Sequence, residues 1–465
     1  MMERRATEAL GLRGGRIVDP SQRLDVRGDL LVADGRIVAL GPAAAVRAEA
    51  EALAAAGRTV RWVDLPARWV VAPGLVDLHA HLREPGFTAK ETIATGTAAA
   101  ARGGFTTLCC MPNTQPVIDS TAVIEEVRAA ARQARARVLP IAAITRGQAG
   151  EQLAEMATLA AAGAVAFSDD GRPVSSGRLM RSALEYTRLG DRPVVEHCQD
   201  ESLVGDGVMH EGAYSVLLGL KGWPAAGEEA MLARDVALVR QTGGRYHAAH
   251  LSTAGAVAIV RQAKAEGLPV TAEVTPHHLL LTDAWVAGER SGPLAEALAA
   301  LGHAPAAGVR YDTSAKVNPP LREPRDAAAL LAGLLDGTID AIATDHAPHT
   351  SVDKDCEYGE AAFGISGLET ALAALLALVH AGRLPLAELV AALTVRPARA
   401  FGLPAGTLAP GAAADIVVFD PAEEWVVEPA RFASKGRNTP LAGLTLRGRV
   451  RLTLLDGVVV FDAAG

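Results

Sequence analysis

Val76-Asp77-Leu78-His79-Ala80-His81 is the stretch on which the fold turns. In an extended segment residues i and i+2 point to the same side, so His79 and His81 can offer both imidazoles to one metal ion. Alone, a His-x-His pair is equally well explained by chance or by two hydrogen-bonded histidines. Its surroundings change that balance. Apolar, strand-like runs alternate with Ala-rich, helix-forming sequence, and the candidate strands are residues 69–71, 106–109, 138–144, 164–167, 194–196, 245–249, 269–273 and 339–343. Eight such βα units predict a (β/α)8 barrel. An open doubly wound sheet is the alternative, but no Gly-x-Gly-x-x-Gly opens the first helix, which weakens its dinucleotide-binding version.

In that barrel the chemistry-bearing residues collect at one end. Asp169-Asp170 follows the fourth strand, His197 the fifth, His250 ends the sixth and Asp345 follows the eighth. Strand C-termini converge on one mouth, where barrels of this kind keep their active sites. An Asp after a strand is more often a helix cap, and a lone His more often a hydrogen-bonded core residue. Occurrence at five strand ends together predicts a metal site. A His and Asp set without thiolate suits Zn²⁺, with Mn²⁺ or Co²⁺ as chemical substitutes. Four histidines and two carboxylates exceed the needs of one tetrahedral ion; two ions bridged by a carboxylate and a hydroxide use them well. Cys198, beside His197, reads as a buried bystander.

Outside the barrel both ends of the chain have strand texture. At the N-terminal end residues 29–32 and 36–39 flank Asp34-Gly35, and at the C-terminal end residues 450–455 and 458–461 flank Asp456-Gly457, each pair reading as a hairpin. We expect a small β-sandwich-like domain built from residues 1–72 and 403–465, with the catalytic barrel at 73–402. The Gly/Ala/Pro-rich segment at about 283–311 does not fit the alternation and reads as an inserted loop or helical hairpin. A length of 465 residues accommodates a barrel of about 250 residues plus a satellite domain.

Composition excludes several function classes. Lys plus Arg number 45 against 53 Asp plus Glu, a net charge of −8, and no basic run appears, which argues against a nucleic-acid coat. Aromatics are 4%, few stacking platforms for single strands. The longest apolar run, residues 371–379, falls far short of the ~20 residues of a membrane-spanning helix. The charged N-terminus lacks the apolar core of a secretory signal, and four cysteines without Cys-x-x-Cys spacing fit a reducing cytoplasm.

These residues resemble those of the amidohydrolase superfamily and, more narrowly, of its bacterial type I dihydroorotases. The matching stretches include His79-Ala-His-Leu-Arg-Glu-Pro-Gly86, Met111-Pro-Asn-Thr114, Phe167-Ser-Asp-Asp-Gly171, Glu196-His-Cys198, His250-Leu-Ser252, Glu273-Val-Thr-Pro-His-His278, Lys316-Val-Asn-Pro-Pro-Leu-Arg322, Ala343-Thr-Asp-His-Ala-Pro-His349 and Ala362-Phe-Gly-Ile-Ser366. The resemblance implies a distorted barrel with two zinc ions per chain. His79, His81 and Asp345 would hold one ion and His197 and His250 the other. One aspartate of the Asp169-Asp170 pair would bridge them together with a hydroxide; Asp170, directly before the glycine, is the family's choice. Relatives elsewhere in the superfamily bridge with a carboxylated lysine. The resemblance also places His81, Arg83, Asn113, Asn318, His349 and the Phe363-Gly364 backbone at the substrate.

The implied reaction is the reversible cyclisation of N-carbamoyl-L-aspartate to L-dihydroorotate in pyrimidine (UMP) synthesis, with Asp345 as the catalytic acid–base. His277 and His278 read as supports of the ligand histidines. A hydantoinase or allantoinase would share the barrel and the histidines. A non-catalytic relative that supports aspartate transcarbamoylase would be expected to lack metal ligands, and none is missing here. A homodimer and association with aspartate transcarbamoylase are the partners the family raises.

Overall fold

The computed structural model describes residues 8–464. Strands from both ends of the chain make one eight-stranded sheet: Glu8–Asp19, Leu24–Ala33, Arg36–Gly41, Thr59–Asp64, Val70–Pro73, Ile416–Val426, Thr445–Leu455 and Val458–Asp462. Val70–Pro73 is the seam. It runs parallel to Glu8–Asp19 and antiparallel to Ile416–Val426, with Val71 opposite both Ile17 and Val418. The two hairpins turn at Asp34-Gly35 and Asp456-Gly457, where φ is 53° and 75°, then 48° and 75°. Positive φ at both central residues belongs to the hairpin turn whose twist matches paired strands, and Asp-Gly is among the few dipeptides that adopt it easily.

The second sheet is a parallel barrel. Its strands are β1 (Leu75–Ala80), β2 (Phe105–Cys110), β3 (Arg137–Ala142), β4 (Ala166–Phe167), β5 (Val194–Glu196), β6 (Tyr246–Ala248), β7 (Val270–Val274) and β8 (Ala341–Ile342), neighbours in that order. The ring nearly closes between first and last. Ala80 bridges His346, and the His81 N–H donates to the His346 carbonyl at 2.8 Å. Buried Asp77 locks the same seam: it accepts from the backbone N–H groups of His79 (3.2 Å) and Thr344 (2.9 Å) and from the Thr344 hydroxyl (2.5 Å). Val76, Leu78, Cys109, Met111, Ile141, Val195 and Ala343 form one apolar cluster with Phe401.

Residues 69–71 are not the first barrel strand. They lie against the end sheet, and the barrel starts at Leu75. Two apolar runs flank Pro73-Gly74 and read as one strand plus its loop, whereas the first joins the chain's ends and the second opens the barrel. The His-x-His pair therefore begins on β1 itself, and its geometry is that of a strand end. The segment at 283–311 carries one α-helix, Pro293–Ala300, preceded by a 3-10 turn at Asp283–Ala287. Trp285 is fully buried there under the Arg290 guanidinium, 4.3 Å from the ring, and Tyr311 ties the segment to the Leu218 carbonyl. Among the described residues no helix is long and apolar enough to cross a membrane.

Candidate metal centre

Six side chains from five strand ends meet in one buried cluster. His81 Nε2 lies 3.1 Å from Asp345 Oδ1 and 3.5 Å from Asp170 Oδ2. His79 Nε2 lies 3.4 Å from Asp170 Oδ1 and 3.6 Å from Asp345 Oδ1. On the other side of Asp170, Oδ1 is 3.6 Å from both His197 Nδ1 and His250 Nε2, which are 2.9 Å apart. Two ligand groups result, His79/His81/Asp170 and Asp170/His197/His250, sharing the aspartate. Ligand atoms ~2.0–2.2 Å from a tetrahedral ion stand roughly 3.3–3.6 Å from each other, and most of these separations fall in that range, with His81–Asp345 and His197–His250 closer.

The hydrogen bonds say which ring nitrogens are free. His79 Nδ1 donates to Glu273 Oε1 at 2.9 Å, His81 Nδ1 to Asn113 Oδ1 at 2.9 Å, and His197 Nε2 to Gln199 Oε1 at 2.8 Å. Each acceptor fixes the proton on the outer nitrogen and leaves the inner lone pair for a cation, the usual support for metal-binding histidine. His79 Nε2 and Asp170 Oδ1 are buried and have no hydrogen-bond partner. Leaving such atoms unsatisfied costs about 1–3 kcal/mol each or more for charged groups, and a shared cation removes that cost. Burial alone would push the Asp345 carboxyl up. The adjoining His81 and His79 rings outweigh it and hold the group below the usual carboxylate range. Asp170 is likewise held well below that range: burial raises it, but the neighbouring His79, His197 and His250 rings prevail. Two backbones here are left-handed without being glycine, His250 at φ 30° and Asp345 at 44°, strain of the kind that accumulates at functional sites.

Asp169 sits outside the centre. Its carboxylate accepts from the Ile144 and Thr145 N–H groups at 2.8 and 3.1 Å and from the Thr145 hydroxyl, and burial pushes its pKa up to about 6. His277 and His278 do not support the ligands as expected. His278 bonds Thr275 Oγ1 and the Pro319 carbonyl, at 2.8 and 2.9 Å, and so holds the Asn318 loop; His277 stacks on it. The supports are Glu273, Gln199 and Asn113. Glu273 and Gln199 went unread. The only clue to Glu273 was an acidic residue at the end of an apolar strand.

A cleft of about 180 Å³ opens over the cluster, lined by His81, Arg83, Asn113, Asp170, His197, His250, Asn318, Asp345, His349, Phe363 and Gly364. Asn113 and Asn318 also serve the ligands' supports: Asn113 Nδ2 lies 3.3 Å from Asp170 Oδ2, and Asn318 Nδ2 donates to Gln199 Oε1 at 3.0 Å. Arg83 has no carboxylate within 4.0 Å among the described residues, while its Nη2 lies 3.3 Å from His349 Nε2. His349 accepts from Lys90 at Nδ1 (3.2 Å) and donates from Nε2 to the Phe363 carbonyl (2.8 Å). Burial and the charges of Arg83 and Lys90 push it down to about 2, so the ring is neutral. A larger cleft, about 300 Å³, lies between the end sheet and the barrel, but its charged groups are paired with each other, as in Arg102–Glu369 and Arg431–Glu428.

A family model described as Dihydro-orotase-like matches residues 68–256, and one described as Amidohydrolase family matches residues 202–461. The Dihydroorotase of Anaeromyxobacter sp. (strain K) is 53% identical over 98% of each chain. That of Pelotomaculum thermopropionicum is 51% identical, covering 97% of this chain and 98% of its own. Among solved structures, the L-hydantoinase (dihydropyrimidinase) from Arthrobacter aurescens superposes with a TM-score of 0.79 at 24% identity, over 97% of this chain and 96% of its own. At that identity the likeness concerns the fold.

Proposed function

The chain belongs to the dihydroorotase family, and on that premise we infer that its cleft interconverts N-carbamoyl-L-aspartate and L-dihydroorotate. One observation carries the reading: a complete His/Asp ligand set lies beside a half-buried arginine, Arg83, that has no acidic partner among the described residues. The substrate carries two carboxylates and only one reacts, so the other needs a cation. A guanidinium fork suits it.

We assign His79, His81 and Asp345 to one zinc ion, His197 and His250 to the second, and Asp170 to both. Bound there, the ions would polarise the reacting carbonyl and lower the pKa of a water at the site. The chain's own groups do the rest. In ring opening, the Asp345 carboxylate takes the proton of the attacking water and delivers it to the ring nitrogen as the C–N bond breaks. In ring closure the protonated acid helps expel oxygen as water. Arg83 holds the carboxylate that does not react, and His349 and the Phe363-Gly364 backbone border the ring. A homodimer and association with aspartate transcarbamoylase are the assemblies the family raises for this chain. We place the enzyme in a reducing cytoplasm, where the exposed free thiol of Cys356 is stable.

The hydantoinase alternative gains nothing from the shared fold at 24% identity. Purified protein should open dihydroorotate readily and hydantoin poorly, because neutral hydantoin offers Arg83 no carboxylate. Equal turnover of the two would refute the reading. Arg83→Met should raise KM with metal retained, and the loss of a charge-assisted bidentate contact should cost about 1.5–3 kcal/mol in kcat/KM. Glu273→Gln keeps the shape but weakens the hold on the His79 proton; metal titration of the variant should show affinity lower by about 10–100-fold. Unchanged affinity would mean that Glu273 does not orient the ligand.

A further inference from the structure

Two loops of the barrel mouth border the cleft, one carrying Ala347 and His349 and the other Phe363 and Gly364. They bond each other directly, His349 Nε2 to the Phe363 carbonyl at 2.8 Å and the Ala347 N–H to the Ile365 carbonyl at 2.9 Å, and a further tie comes from outside the barrel. Asn438 lies in the segment between the turn Pro429–Arg431 and the end-sheet strand Thr445–Leu455, and it is buried. Its Oδ1 accepts from the His349 N–H at 3.0 Å and the Ser366 hydroxyl at 2.9 Å. Its Nδ2 donates to the carbonyls of Ala347 at 3.0 Å and Gly364 at 2.9 Å. Its own carbonyl accepts from the Ser366 N–H at 2.8 Å. A side-chain amide offers two donors and two acceptor sites, and here all four are used, two on each loop. The bonding also fixes which way the amide faces, since a flipped group would set its oxygen against two carbonyls.

The rest of the segment is fitted to the same task. At Gly436 a Cβ would come within 2.2 Å of Ser366 Oγ and 2.5 Å of Pro348 Cβ, so only glycine lets the strap approach. Upstream, the Ser434 hydroxyl bonds the Glu91 carboxylate, which also reaches His346 at 3.2 Å. Asn438 makes no hydrogen bond to any of the six metal-centre side chains.

We propose that Asn438 is a positioning residue for substrate binding, fixing the separation between His349 and the Phe363-Gly364 backbone from the strap of the end sheet. This rests on the assignment of those two loops to the substrate. Because the metal-centre residues are held separately by Glu273, Gln199 and Asn113, loosening the loops should act on KM more than on kcat.

The test measures KM and kcat for dihydroorotate, and metal content, in the full-length protein. Asn438→Ala removes all four side-chain bonds. Asn438→Asp keeps the acceptor oxygen but sets a second oxygen against the Ala347 and Gly364 carbonyls. Both should retain wild-type metal, with KM raised about tenfold or more and kcat within about threefold. A lower melting temperature with KM within about twofold of wild type, or a loss confined to kcat, would overturn the proposal. Should neither variant fold, Ser366→Ala removes one bond and leaves the amide; a KM raised about threefold supports the proposal and an unchanged KM overturns it. A wild type that does not turn over dihydroorotate would overturn the functional reading and this inference together, whereas an active wild type with unresponsive variants overturns the inference alone.

Discussion

Asp345→Asn lowers turnover in both directions by about 10²–10⁴-fold, the usual contribution of a positioned general acid–base, while metal stays bound. The amide can still turn an oxygen toward a cation but cannot carry a proton. In the native centre the His81 and His79 rings keep the Asp345 carboxyl below the usual range despite its burial, so it enters ring opening ionised. The direction of the reaction follows from charge. N-carbamoyl-L-aspartate carries −2 and the ring −1, so closure consumes one proton and lower pH favours the ring at equilibrium. The rates should mirror this in the wild type, ring opening rising with pH to a plateau while ring closure falls across the same range. Residual activity of the variant should keep the ratio of rates that the equilibrium imposes, but its individual pH profiles should change shape. Substantial activity with an unchanged pH profile would contradict a proton-carrying Asp345. Loss of metal together with rate would report its role as a ligand.

His81→Ala should lower both metal content and rate. Its Nε2 faces Asp345 and Asp170 at 3.1 and 3.5 Å, and its Nδ1 anchors Asn113. Losing an outer support of a metal ligand typically weakens binding about 10–100-fold, so losing the ligand itself should exceed about 10²-fold. Stability gives an independent readout. Metal at about 100 times its Kd adds about 2.7 kcal/mol to the stability of a protein that binds it only when folded. The wild type should gain a higher melting temperature on adding zinc, and the variant should gain much less. Equal metal content and equal thermal response would remove His81 from the centre.

The clustering of six candidate metal-binding residues was legible because they stand at strand C-termini, and a parallel barrel brings those termini together whatever the loops do. The two hairpins were legible because Asp-Gly permits a backbone that few dipeptides adopt. The start of the barrel was misread, since the apolar residues on either side of Pro73-Gly74 serve different sheets and hydrophobicity is the same in both. The residues that orient the ligands were harder still. Glu273 reaches back to His79 across 194 positions, and Asn438 reaches His349 across 89. Such pairings depend on barrel register and on where a strap crosses, which periodicity does not encode. His277 and His278 adjoin the ligands in sequence pattern, yet the His278 ring bonds Thr275 and Pro319 instead.

The most direct test of the account is a reloading titration. Protein stripped with a chelator is given zinc stepwise, and bound metal per chain is measured alongside turnover of dihydroorotate. The account predicts no turnover without metal and activity that rises with occupancy to a plateau at about two ions per chain, as the two ligand groups sharing Asp170 require. Full activity of the stripped, metal-free protein would contradict it.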